Sequence, residues 1–137
     1  MLRMKRLLPV VALFYGAVAS ADWVAVPRAA DPSPATFIDM ETIRQTGPMN
    51  TMRRVWQLRN LTQSAAENTL SIKSHMEYDC KDRRVRLLEA NHFADSWGRG
   101  DKLDVAVPAA KSRDWGVIGK GNLSEAIFLR VCPRDGT

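Results

Sequence analysis

Few groups in this chain could do chemistry: two cysteines, two histidines, a close aspartate pair and a knot of cations around residue 83. His75 and His92 are the only histidines. A zinc site needs three or four converging ligands, so a solvated surface histidine is the reading for His75. Asp79 and Asp82 sit at a turn between two strands. Aspartates at turns bond nearby backbone amides, and that reading outweighs a catalytic acid pair. No serine stands in a G-x-S-x-G or S-x-x-K context. Gly98-Arg99-Gly100 and Gly119-Lys120-Gly121 are too short for a phosphate loop. The chain therefore reads as non-enzymatic, with no cofactor and no metal site.

The cations are more informative. Lys81, Arg83, Arg84 and Arg86 crowd one short stretch and are the candidate partner-binding residues. Arg53 and Arg54 are candidates to join them from a neighbouring strand, and Arg99 and Lys102 from a later loop. A cationic stripe can take heparin-like glycans, acidic protein segments or anionic membrane surfaces. The competing reading is a solvated polar face, partly neutralised by Glu77, Asp79 and Asp82, since exposed ion pairs are common and weak.

The N-terminal segment sets the compartment. Arg3, Lys5 and Arg6 precede the apolar run Leu7 to Val18, and Ala19-Ser20-Ala21 offers a small-residue cleavage site. That order is a secretory signal peptide over residues 1–21, and its apolar run is too short to span a bilayer. An uncleaved signal anchor is the alternative. No cysteine near the site could take a lipid. Cleavage leaves residues 22–137, one domain with a small core and no transmembrane segment. It also removes three cations and no acids, so the formal charge of +5 falls to about +2 and nucleic acid is excluded as the expected partner. An even cysteine count in an exported chain reads as one disulfide, Cys80–Cys132. A redox pair or metal site is the alternative, but the spacing is wrong for CxxC and no His/Cys cluster accompanies either residue. The bridge would close a loop of about 50 residues and contribute roughly 4 kcal/mol as an upper figure.

These groups need elements to hold them, and the stretch Leu70 to Arg86 is central. Leu70, Ile72, Met76, Tyr78 and Cys80 share one register, with Lys73, His75, Glu77 and Asp79 on the other. That is a half-buried strand with a dry face. A turn over Asp79 to Asp82 leads into a second strand from Arg83, with Val85 and Leu87 opposite Arg84 and Arg86. Other expected strands are Asp22 to Pro27 with Trp23 entering the core, Ala35 to Asp39, Met52 to Leu61 with Trp56 and Leu58 inward, and Leu103 to Val107. Glu41 to Gln45 is expected as one helical turn or a bend, and Trp115 to Ile118 as a short edge strand or loop. From Asn122 the period changes. Asn122 and Glu125 form a capping pair, Leu123, Ile127 and Val131 make an apolar stripe, and Pro133 ends the helix. Asn60-Leu61-Thr62 and Asn122-Leu123-Ser124 match the glycosylation sequon, but Asn122 is better explained as the cap. The fold class is α+β: an antiparallel sheet of about six strands, with one C-terminal helix on one face tethered by the disulfide.

With those features in place the chain resembles the surface-adhesin protein E family of exported bacterial proteins. The residues carrying the likeness are Trp23; Phe37-Ile38-Asp39 with Ile43-Arg44; Val55-Trp56; Tyr78-Asp79-Cys80 with Arg83 to Arg86; Trp97-Gly98-Arg99-Gly100; Trp115; and Val131-Cys132. The resemblance implies the same sheet-and-helix fold, a periplasmic or outer-surface location and, for some members, adhesion to host extracellular-matrix and serum proteins. The expected function is a protein-binding module of the cell envelope that docks a matrix or envelope protein through the basic face. The alternative is a periplasmic structural or accessory protein without adhesin activity. A small-ligand binder using Trp97 or Trp115 is a third reading. Uncovered edge strands could also pair two copies into a homodimer.

Overall fold

The computed structural model describes residues 22–27, 36–62, 68–105 and 113–133. The expected signal peptide, the loop over 28–34, the hairpin loop over 63–67, the stretch 106–112 and the tail 134–137 lie outside the described residues. The elements in chain order are β1 (Trp23–Val26), β2 (Thr36–Thr46), β3 (Met52–Asn60), β4 (Ser71–Asp79), β5 (Arg84–Phe93), β6 (Lys102–Leu103), β7 (Gly116–Val117) and α1 (Leu123–Val131). Strands β1 to β6 lie side by side in chain order, every pair antiparallel, and β7 adds to the start of β5. No helix among the described residues is long and apolar enough to cross a membrane.

The helix packs on one face of this sheet. Val26, Ile38, Val55 and Tyr78 meet Ile127, Phe128, Val131 and Cys132 there, with Ile118 closing the side. Tyr78 belongs to the register of β4 that alternation predicts to be dry, Val55 and Val85 lie on the same face, and the helical stripe faces them. Asn122 caps the helix as expected: its side-chain oxygen accepts from the Glu125 amide at 3.0 Å. Glu125 reaches back to the amide of Gly121 rather than to that of Asn122. The disulfide joins Cys80, just past β4, to Cys132 at the helix end, with their Cα atoms 5.6 Å apart.

Three expectations about elements need correction. The chain does not turn helical at Glu41; β2 runs on to Thr46 through a bulge between Asp39 and Arg44. Polar side chains make this possible. Thr42 donates its hydroxyl to the Asp39 carbonyl at 2.7 Å and accepts the Trp56 amide at 3.0 Å, while the Asp39 carboxylate accepts the Glu41 amide. Trp56 and Leu58 do not share the helix-side core. The register aligns Trp56 with Asp39 and His75, and Leu58 with Phe37 and Lys73, all on the opposite face. Trp23, paired with Asp39, lies on that opposite face too. Finally, among the described residues β6 pairs only at Lys102–Leu103, the Val105 amide turning back to the Leu103 carbonyl at 3.1 Å, and the end of the expected strand, 106–107, lies outside the described residues. Trp115 to Ile118 takes the edge-strand option, as β7.

The face away from the helix has a small apolar centre of its own. Leu58 is fully buried there. Over it folds the loop after β5, with Trp97 packed on Phe37 at 4.7 Å between ring centroids. The loop is pinned by bonds from the Trp97 amide to the Asn60 side chain and from the Gly98 amide to the Ser71 hydroxyl. Gly98 has φ +65°, and a Cβ there would fall 2.1 Å from the Lys73 side chain. The backbone conformation selects glycine, while the lysine end could swing aside.

Candidate functional site

The site begins with two carboxylates of β4. Alternation places Glu77 and Asp79 on the polar register, yet Glu77 is 1% and Asp79 3% exposed. Both sit under arginines. Glu77 is opposite Arg54 on β3 and Arg86 on β5, and Asp79 is opposite Arg84. The Arg54 Nε donates to Glu77 Oε2 at 2.7 Å, the Arg86 Nε donates to Oε1 at 2.8 Å, and the Thr46 hydroxyl adds a third donor at 3.2 Å. The Arg84 guanidinium donates to Asp79 Oδ2 at 2.7 Å. The other Asp79 oxygen accepts the amides of Lys81 and Asp82, the turn chemistry expected of an aspartate there. Burial pushes both carboxyls up, but the arginine bonds outweigh it. Glu77 and Asp79 therefore lie below the ordinary carboxylate range.

Aromatic rings brace these cations. Trp115, in the segment leading to β7, lies under both guanidinium groups, at 4.8 Å from Arg84 and 4.4 Å from Arg86. Next along the face, the Trp56 and His75 rings stack at 4.6 Å, nearly parallel. His75 is half-buried rather than freely solvated. Burial lowers its pKa first, and the Arg54 charge lowers it further.

The four cations singled out in sequence do not form one stripe. Arg84 and Arg86 share the open face, as their alternate positions require, and Arg54 joins them. Arg83 turns the other way. It has φ +49° at the end of the hairpin turn, pairs with Glu125 of the helix at 2.9 Å and lies over the Phe128 ring at 4.8 Å. Lys81 is exposed at the hairpin tip. With Arg83, Phe128, Leu129 and Pro133 it borders a groove of about 310 Å³ beside the disulfide. Arg53 pairs with Tyr78 on the helix-side register. Of the two arginines expected from the neighbouring strand, Arg54 joins the site and Arg53 does not, and sequence reasoning missed Trp115 as the aromatic partner of Arg84 and Arg86.

Chemically, the arrangement exposes positive charge to solvent over buried negative charge. The carboxylates lie beneath with side-chain exposures of 2% and 4%, whereas the Arg54, Arg84 and Arg86 side chains remain 42%, 36% and 29% exposed. What faces solvent is a row of guanidinium groups already fixed in direction.

A family model described as surface-adhesin protein E matches residues 23–133. Solved structures of Haemophilus influenzae protein E are similar in fold. One is 13% identical with a TM-score of 0.59, covering 79% of this chain and 83% of that one. A second crystal form is 14% identical with a TM-score of 0.56, covering 71% and 79%. Protein E from a non-typeable strain is 14% identical with a TM-score of 0.55, covering 90% and 80%. No curated protein matches this chain.

Proposed function

The chain belongs to the surface-adhesin protein E family, and from that premise we propose that it is a non-enzymatic protein-binding module of the bacterial envelope. It docks an acidic surface of a matrix or envelope protein through the basic face. Arg84 and Arg86 contribute from the original cation cluster and Arg54 joins them from β3, while Lys81 stands apart at the hairpin tip, on the groove beside the disulfide. Arg83 holds the helix end against the hairpin. The observation that carries this reading is the layering of charge: buried Glu77 and Asp79 under exposed guanidinium groups. Fixing those side chains in the free protein lowers the ordering cost of binding. Arginine also suits planar contact with carboxylates.

Two experiments test it. Surface-protease accessibility on intact cells is compared with the soluble periplasmic fraction. Protein cleaved on intact cells supports a display role, and protein found only in the periplasm supports an accessory role there. Matrix and serum proteins are then screened against the native chain and the double variant R84E/R86E, with circular dichroism confirming that the variant is folded. Unchanged affinity of the folded variant for every partner would remove the basic face from the proposal.

A further inference from the structure

The same open face carries an aromatic end that the charge argument does not use. Trp97 is 41% exposed, one of the few large apolar side chains left at the surface among the described residues. Its backbone occupies the left-handed region at φ 64°, ψ 26°, a conformation that bulky residues rarely adopt. Two side chains of the neighbouring strands, Asn60 and Ser71, hold the loop in that state through the amides of Trp97 and Gly98. Observed strain of this kind is grounds for a functional hypothesis. The outcome here is an indole laid against Phe37 with its outer face in solvent.

Its position relative to the arginines is set by the sheet. Phe37, Leu58 and Lys73 form one cross-strand row, and Arg54, Glu77 and Arg86 form another four residues along β3 and β4. Four residues of antiparallel strand span roughly 13 Å. Tryptophan and arginine are the side chains most enriched where binding energy concentrates.

We propose that Trp97 is the apolar anchor of the docking face, and that the partner protein presents a carboxylate and an apolar side chain offset by roughly 13 Å along the strands and up to about 10 Å across them. The carboxylate lies on Arg54 and Arg86, and the apolar group on the indole. The partner is acidic because Glu77 and Asp79 lie buried beneath Arg54, Arg84 and Arg86, which leaves guanidinium groups as the exposed charge at this end of the face, with the exposed Glu89 and Asp82 at its margin. This inference rests on the reading of the basic face as the docking surface, and it adds a spacing rule and an uncharged hot spot.

The test uses the full chain and synthetic extended peptides, each with one Phe and a Glu-Glu pair separated by two, four or eight residues. Control peptides lack either the Phe or the glutamates. Binding is followed by NMR on the indole N–H signals, with the Trp97 signal assigned from a substituted chain. The four-residue spacing should bind tightest, since extended chain covers the distance at about 3.4 Å per residue. W97A should weaken it at least ten-fold with an unchanged salt dependence, while R54Q should flatten the salt dependence. W97N separates binding from folding. Asparagine tolerates the left-handed backbone, so circular dichroism should show a folded W97N chain, its melting temperature lowered only by the lost packing on Phe37, while binding falls as in W97A. Acidic peptides that bind equally with or without Phe overturn the anchor and leave the basic face standing. Peptides that bind through Phe alone, with no salt dependence, overturn the pairing and the basic face. Absence of binding by every peptide overturns both.

Discussion

Glu77 has the most to lose from substitution. It is buried and accepts from two arginines and a threonine, so E77Q leaves Arg54 and Arg86 without their counter-charge. Breaking a fully buried pair costs about 3–5 kcal/mol, but both arginines keep a solvated side, so about 2–3 kcal/mol is expected in urea unfolding. The pH dependence follows from the same contacts. Glu77 and Asp79 titrate lower in the folded chain than in the unfolded one. Their stabilisation is therefore complete above about pH 4 and is lost as pH falls through the depressed folded values. Urea midpoints measured from pH 7 down to pH 2 should show that loss, and E77Q should flatten it. His75 adds a smaller slope of the same sign. Its folded pKa is lowered by burial and Arg54, against the opposing charges of Glu89 and Glu77. The unfolded chain thus takes up the proton first as pH drops below about 6.5. The Asp79 turn bonds were legible from the residue type and its place in a hairpin. The burial of Glu77 was not, because its partners stand on other strands, Arg54 23 positions away.

At the scale of elements, period and caps carried most of the information. The Asn122 cap satisfies the Glu125 amide, and N122A should cost about 1 kcal/mol in thermal or urea unfolding. The disulfide pins the helix end to the end of β4. The paired variant C80S/C132S should lose about 2–5 kcal/mol, with amide exchange accelerating first in α1. Equal protection of α1 with and without the bridge would contradict that role. Two features escaped alternation for physical reasons. The bulge in β2 depends on Thr42 bonding to both its own strand and β3, so a single-strand reading sees only a break in period. Trp56 was assigned to the helix-side core on hydrophobicity alone, but Val55 is the residue of β3 that reaches it. A strand flanked by arginines and carrying large side chains on both registers gives no sign of which face the helix covers. That assignment belongs to β4, where Tyr78 and Cys80 mark it, and β3 inherits it through pairing.

For the whole molecule, the antiparallel sheet, the terminal helix and their covalent link were all legible, because neighbours in sequence are neighbours in the sheet from β1 to β6. The docking face was only half legible, since it is assembled from β3, β4, β5 and the segment before β7. If it works as proposed, binding to an acidic partner should weaken several-fold between low and physiological salt, measured as Kd across a sodium chloride series. The disulfide has a mechanical consequence as well. A protein that holds a partner is pulled upon. Under tension between the N-terminal rim of the sheet and Cys132, the S–S bond carries force straight from the end of β4 to the end of α1. The chain between the cysteines, a sequence separation of 52 and roughly 180 Å when extended, then lies outside the line of load. Arg84, Arg86, Trp97 and Trp115 all belong to that shielded loop. Stretching single molecules before and after reduction should show the added length only when the bond is open, so β5 and α1, with Arg84, Arg86, Trp97 and Trp115, are spared a pull that β1 to β4, with Arg54, must bear.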